Sequence, residues 1–158
     1  MKIRRAIPEE AEACWNIRNQ AIRQGCKSSY DPAVITAWTP EAMPESFREV
    51  IKKNLFFIVE GPDARPVATG YLDMSSGSVE AIFTSPDHVR KGCAGMILKK
   101  IKDEARQRGF NRLTLSSTPD AITFYEKQGF KSLRESFYFS KLANAELRCM
   151  EMAIDLSF

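Results

Sequence analysis

The chain has 158 residues, 44% hydrophobic and 27% charged, with 23 Lys and Arg against 20 Asp and Glu for a net charge of +3. That length suits one domain with its own core, and no tract combines the low hydrophobicity and high charge that keep a chain disordered. So small and dispersed a charge argues against a nucleic-acid groove. Acidic residues in the first ten positions, no apolar core of signal-peptide length and no run of 18 apolar residues predict a soluble cytoplasmic protein without a membrane partner.

Residues 2–7 alternate and stop at Pro8, which predicts a first strand. Glu9 and Glu10 then open a run in which Ala13, Ile17, Ala21 and Ile22 recur at helical spacing as far as Gly25. Two proline-punctuated stretches, Tyr30 to Trp38 and Pro44 to Ile51, read as short helices. From residue 55 the period changes to the apolar runs 55–59, 66–72 and 79–84, separated by Gly-Pro-Asp and Ser-Ser-Gly-Ser turns, which predicts an antiparallel meander. Ile97, Leu98, Ile101 and Ala105 form the stripe of an amphipathic helix closed by Gly109, and a strand follows at 112–116. Thr118 as N-cap, Pro119 at the first helical position and Gly129 as the stop predict a short helix over 119–128. Strands at 130–140 and 146–156 end the chain.

Cys14, Cys26, Cys93 and Cys149 contain no CxxC pair, and His88 is the only histidine, so no metal site is expected. Spacing alone does not decide disulfides, although a chain without an export signal keeps its thiols reduced. Cys14 and Cys149 read as core residues.

Residues 85–98 place a basic, glycine-containing turn between a strand and the start of a helix. Unpaired N–H groups in the first helical turn and the positive end of the helix dipole favour an anion there, and Gly92, Ala94 and Gly95 let a backbone approach closely. The turn is neither G-x-G-x-x-G nor a P-loop. It reads either as a plain connection or as a pyrophosphate site with Arg90 and Lys91 adding charge.

Ala121-Ile-Thr-Phe-Tyr-Glu-Lys-Gln-Gly-Phe130 resembles the A-x-x-F/L-Y-E-K-x-G-F motif of the GCN5-related N-acetyltransferases, and residues 82–98 resemble the same family's strand and pyrophosphate loop. The resemblance extends to both ends of the chain, and Tyr30 and Trp38, in a Tyr-Asp-Pro-x-x-x-x-x-Trp stretch, resemble a bacterial subgroup of largely unassigned substrate. It implies an α/β (α+β) fold over 1–158: a mixed, mostly antiparallel sheet of six to seven strands, flanked by about four helices and splayed in the middle to hold coenzyme A. It also implies acetyl-coenzyme A as co-substrate, transfer to a primary amine of a small molecule or peptide by direct attack, and a monomer or homodimer. The alternative is a catalytically weak module that binds or senses acyl-coenzyme A with a protein partner.

Carried onto this sequence, the resemblance assigns the pantetheine arm to the backbone of Ile82, Phe83 and Thr84 and the pyrophosphate to Val89, Arg90, Lys91, Gly92, Cys93, Ala94 and Gly95, with Thr118 and Phe124 nearby. Val89 stands where the loop usually carries Gln or Arg, and Thr118 where many members carry Asn. Tyr125 is the candidate that meets the departing thiolate. Glu80 is the candidate base, and simple alternation puts it on the face of Ile82 and Thr84. Trp15, Tyr30, Trp38 and Tyr138 either line an acceptor pocket or pack in the core. His88 reads as an exposed loop histidine, Cys93 as a small residue packed under the loop, and Lys99, Lys100, Lys102, Arg106 and Arg108 as a solvated helix face, the alternative being that one member touches the coenzyme's 3′-phosphate.

Overall fold

A computed structural model describes residues 1–156; residues 157 and 158, included in the expected domain, lie outside it. In chain order the elements are β1 (Lys2–Arg5), α1 (Ala11–Gly25), α2 (Pro32–Trp38), α3 (Glu45–Lys53), β2 (Leu55–Glu60), β3 (Pro66–Asp73), β4 (Ser78–Thr84), α4 (Cys93–Gln107), β5 (Arg112–Ser117), α5 (Ile122–Lys127), β6 (Lys131–Ser140) and β7 (Ala145–Asp155). The strands form one sheet in the order β1-β2-β3-β4-β5-β7-β6. Every neighbouring pair is antiparallel except β4 and β5.

The apolar run of β2 is buried on both faces, and this explains why it does not alternate. Leu55, Phe57 and Val59 point into the main core, where α4 lays its stripe of Ile97, Leu98, Ile101 and Ala105 against Leu72, Leu113 and Met152. Phe56 and Ile58 point the other way, against Ala11 and Cys14 of α1 and Ile51 of α3. A third cluster, Ile22, Cys26 and Ile35 with Tyr30, Trp38 and Phe83, lies under α2.

The boundaries differ from the expected ones where proline acts. Pro8 opens a 3-10 turn over Pro8–Glu10, and Glu10 returns its carboxylate to the Ile7 N–H at 3.1 Å, so β1 ends two residues early. Pro119 likewise starts a 3-10 turn, Pro119–Ala121, and the α-helix proper begins only at Ile122. Thr118 precedes that turn but makes no side-chain cap; its carbonyl accepts the Ala121 N–H at 3.1 Å.

The middle of the sheet carries two irregularities. The pairing of β3 with β4 places Tyr71 opposite Glu80 and Thr69 opposite Phe83, so Ala81 and Ile82 together face Gly70. This is a β-bulge. Its residue Ala81 adopts φ 55°, a conformation that costs a residue with a β-carbon roughly 1–2 kcal/mol, and the Thr69 hydroxyl donates to the Ala81 carbonyl at 2.9 Å. The second irregularity is the junction of β4 with β5. Those strands register only at Ser78 and Thr114, with the Thr114 N–H donating to the Gly77 carbonyl at 3.1 Å, and beyond that point they diverge.

Candidate active site

The divergence of β4 from β5 opens a cleft of about 570 Å³. One wall is β4 from Val79 to Thr84, the other is Leu115, Ser116 and Thr118, and Tyr125 of α5 also lines it. The outer end is closed by Arg18 of α1, Trp38 of α2, Tyr30, Tyr71 and Tyr138.

The bulge decides which β4 side chains enter. Residues opposite each other in an antiparallel pair share a face, so Glu80 lies on the face of Tyr71, and Phe83 on that of Thr69. Simple alternation puts Glu80 with Ile82. The extra residue at Ala81 reverses this: Ile82 goes to the α4 side, against Gly70 and Ile97, while Glu80 and Phe83 both face α1 and α2. Ala81 is neither glycine nor asparagine, so nothing within β4 itself marks the bulge.

Water still reaches the Glu80 carboxylate through the cleft mouth, but the surrounding walls crowd it. That desolvation, reinforced by Asp73 and Glu151, pushes its pKa above the usual carboxylate range despite the hydrogen bond it accepts from the Ser78 hydroxyl at 3.0 Å. Tyr125 is 9% exposed, its ring edge-on to Phe124 at 5.2 Å and to Phe130 at 6.0 Å. Among the described residues no hydrogen-bond partner engages its hydroxyl, which therefore remains available to a ligand in the cleft. Burial first, then Asp120 and Glu80, raise its pKa, so the phenol holds its proton. Gly129, at φ 98°, ends α5 and lets the Phe130 N–H return to the Tyr125 carbonyl at 3.1 Å, which anchors the helix end beneath the tyrosine.

At its mouth the cleft meets the turn before α4. Val89 is extended and half exposed and lines the cleft, Arg90 is left-handed at φ 64°, and Gly92, left-handed at φ 81°, is the helix N-cap. No side chain caps this helix. Its first hydrogen bond is donated by Met96 to the Gly92 carbonyl at 3.0 Å, which leaves the N–H groups of Cys93, Ala94 and Gly95 ahead of it. A β-carbon at Gly92 would meet nothing within 4 Å, so the space beside this N-cap is open. The arrangement suits an anion through backbone donors, with the exposed Arg90 and Lys91 alongside.

The expected residues therefore separate into groups. Glu80, Ile82, Phe83, Thr84, Val89, Thr118, Tyr125, Tyr30, Trp38 and Tyr138 line one cleft, and Arg90, Lys91, Gly92, Ala94 and Gly95 continue from it. Phe124 packs against the main core and does not line the cleft. Cys93 is 2% exposed and its Sγ lies 3.7 Å from Met1 Sδ, so its side chain is packed away from the cleft. Trp15 belongs to the core, its Nε1 donating to the Pro40 carbonyl at 2.8 Å. His88 is half-buried, with its Nδ1 enclosed and unpartnered among the described residues, and not exposed as its loop position suggests. Lys102 departs from the solvated face by donating to the Gln128 carbonyl at the end of α5. The four cysteines are free and buried, and the described residues hold no metal-binding cluster of His, Cys, Asp and Glu. No helix among them is long and apolar enough to cross a membrane.

Sequence reasoning missed Tyr71 and Arg18. Tyr71 stacks on Phe56 at 5.3 Å and stands across from Glu80. Arg18 follows Cys14 and Trp15 at helical spacing on the buried stripe of α1; an arginine on an apolar stripe was the available signal.

Residues 26–154 match the family model of the acetyltransferase (GNAT) domain. The uncharacterized N-acetyltransferase YsnE of Bacillus subtilis is 38% identical over 65 residues, which is 38% of this chain and 43% of that protein, so the match spans less than half of either. The structure of the GCN5-related N-acetyltransferase (aminotransferase, class II) of Rhodopseudomonas palustris superposes with a TM-score of 0.88 at 20% identity, over 98% of this chain and 94% of that one. PaiA N-acetyltransferase of Thermoplasma acidophilum, solved in complex with coenzyme A, gives 0.74 at 15% identity over 98% of each chain. At these identities the two structures establish a common fold, and the family model spans most of the sequence: the chain belongs to the GNAT acetyltransferase family.

Proposed function

We propose that this protein transfers an acetyl group from acetyl-coenzyme A to a primary amine of a small molecule or peptide. The observation that carries this reading is the parting of β4 from β5 over an uncapped helix N-terminus, with Tyr125 in the gap. The open edge of β4 at Ile82, Phe83 and Thr84 offers strand hydrogen bonds to an extended amide-bearing arm, as a neighbouring strand would receive. The amides of Cys93, Ala94 and Gly95, with Arg90 and Lys91, would hold its pyrophosphate. Val89 contributes apolar surface where a Gln or Arg side chain is usual, so the anion depends on backbone donors.

In the reaction, the amine nitrogen forms a bond to the thioester carbonyl carbon and the carbon–sulfur bond breaks, with no covalent enzyme intermediate. The nitrogen must shed a proton, and Glu80, with its raised pKa, is suited to accept it directly or through water. The thiolate that leaves needs a donor. From reference values near 10 for tyrosine and 8.5 for a thiol, full proton transfer from Tyr125 is uphill by about 2 kcal/mol, and burial makes the phenol a weaker acid still. Tyr125 therefore acts by donating a hydrogen bond to the sulfur.

Thermal unfolding with acetyl-coenzyme A, beside a control with a free adenosine nucleotide, tests the first half. A ligand at a hundredfold excess over its dissociation constant stabilises by about 2.7 kcal/mol, enough for a shift of a few degrees. Thiol release with a panel of amines tests the second. A selective shift followed by amine-dependent thiol release is the expected result; a shift without turnover of any amine favours the acyl-coenzyme A-sensing alternative, and no shift defeats both.

A further inference from the structure

Arg18 is held at the outer end of the cleft with half of its guanidinium unused. The group lies 4.3 Å from the ring centre of Trp15 and 5.8 Å from that of Trp38. Its Nη1 donates twice, to the Trp38 carbonyl at 2.9 Å and to Asn19 Oδ1 at 2.8 Å. Nε and Nη2 have no partner among the described residues. These two nitrogens form the side-on fork that matches the two oxygens of a carboxylate.

The environment is otherwise unsuited to a lone cation. Arg4 pairs with Glu10 and Glu60, Arg23 with Glu41, and Arg48 with Glu12 and Glu45, whereas Arg18 pairs with no acid among the described residues. Its burial pulls the guanidinium pKa down to about 10, the sign of a charge taken from water with no carboxylate beside it. Glu80 and Asp120 lie in the same cleft, both close enough to Tyr125 to raise its pKa, with Glu80 across from Tyr71 and Asp120 near Tyr30. The cleft thus holds carboxylates beside which an amine would react and, within the same walls, a cation that pairs with neither of them.

We propose that Arg18 receives a carboxylate of the acceptor, so that the substrate is a small amino acid, with its primary amine directed to Glu80 and its carboxylate held in the Arg18 fork. This specificity rests on the acetyl-transfer reading of the same cleft. Trp38 and Tyr138 line the same cleft and offer apolar surface for the acceptor's carbon skeleton. The indole contacts and the two Nη1 bonds hold the fork in place before the substrate arrives, which lowers the cost of ordering it on binding.

The test is thiol release from acetyl-coenzyme A with matched acceptors, each amino acid beside its amide and its decarboxylated amine, for the wild type, Arg18→Gln and Arg18→Lys. The expected wild-type preference in kcat/KM for the acid is at least tenfold, carried mainly by KM. Arg18→Gln should reduce it to less than about twofold. Arg18→Lys, which keeps the charge and loses the fork, should fall between. The acetyl-coenzyme A thermal shift of each variant reports that it is folded, and the wild-type preference stands as a test by itself. Equal use of acid, amide and decarboxylated amine by the wild type, or an unchanged preference in Arg18→Gln, overturns this inference and leaves acetyl transfer intact. No thermal shift and no thiol release with any acceptor overturns both.

Discussion

Ile82 fills the space above Gly70: a β-carbon on Gly70 would lie 2.5 Å from Ile82 Cδ1 and 2.5 Å from Ile97 Cγ2. The glycine is what allows the bulge. Two residues of β4 span one of β3, and the second of them swings its side chain down onto α4 over the position that has none. Gly70→Ala should therefore destabilise the protein by about 1–3 kcal/mol, the usual range for overpacking a core. It should also weaken acetyl-coenzyme A binding, because displacing Ile82 disturbs the β4 edge. Denaturant unfolding and the ligand-induced thermal shift measure the two effects; a variant as stable as the wild type would show that Ile82 can move without the bulge.

Tyr125→Phe removes one oxygen from the cleft and leaves the ring contacts with Phe124 and Phe130 in place. A hydrogen bond to a charged partner contributes about 1.5–3 kcal/mol, so kcat should fall roughly ten- to a hundredfold. The KM for acetyl-coenzyme A should change little, since the bond strengthens only as the thiolate forms. Because burial raises the tyrosine pKa, the wild-type profile should show no alkaline loss from this group below about pH 10, its ordinary value. Steady-state kinetics across pH would expose a different role if kcat survived the substitution.

The outer frame of the site was legible because it rests on local chemistry. Proline, glycine and a change of apolar period delimit β2, β3, β4 and α4, and the segment from Ala121 to Phe130 carries its own start and stop. What was not legible depends on contacts between distant residues. The face of Glu80 is set by a bulge whose cause, the absence of a side chain at Gly70, lies on another strand. Cys93 and Phe124 sit within the right motifs, yet their side chains serve the core, and only the packing of α4 and α5 shows this. Arg18 was hidden because charged residues on helices are usually solvated; Asn19 is its neighbour in α1, but the Trp38 carbonyl is joined to it only once α2 folds back on α1.

Glu80→Gln should lower activity and raise stability together. The folded-state pKa of Glu80 lies above its unfolded value, so the fold favours the protonated form. Below the ordinary carboxylate range the side chain is neutral in both states and adds no penalty; as pH rises through the raised pKa, the fold must carry a crowded charge and loses stability. The glutamine variant, neutral throughout, should melt above the wild type at pH 7 and level with it near pH 4. If Glu80 accepts the amine proton, the same variant should lose at least tenfold in kcat at pH 7. Equal melting temperatures at both pH values would show that the carboxylate is solvated after all.

Cys26 and Cys149 both line the cleft, and both are poor nucleophiles for the same reason. Burial pushes the Cys26 thiol up to about 12 and that of Cys149 to about 11, with Asp120 and Glu151 respectively adding to the effect. At pH 7 the thiolate fractions are then roughly one in a hundred thousand and one in ten thousand, against about 3% for an exposed thiol of pKa 8.5. Native protein should resist iodoacetamide at pH 7 and label about tenfold faster for each pH unit until the fold is lost. Acetyl-coenzyme A should slow the labelling of these two by covering the cleft, while Cys14, on the buried face of α1, responds only to unfolding. Mass spectrometry of alkylated peptides resolves the sites. Rapid native labelling of Cys149 at pH 7 would mean that this wall of the cleft opens to water and reagent, and that the site is less enclosed than its geometry implies.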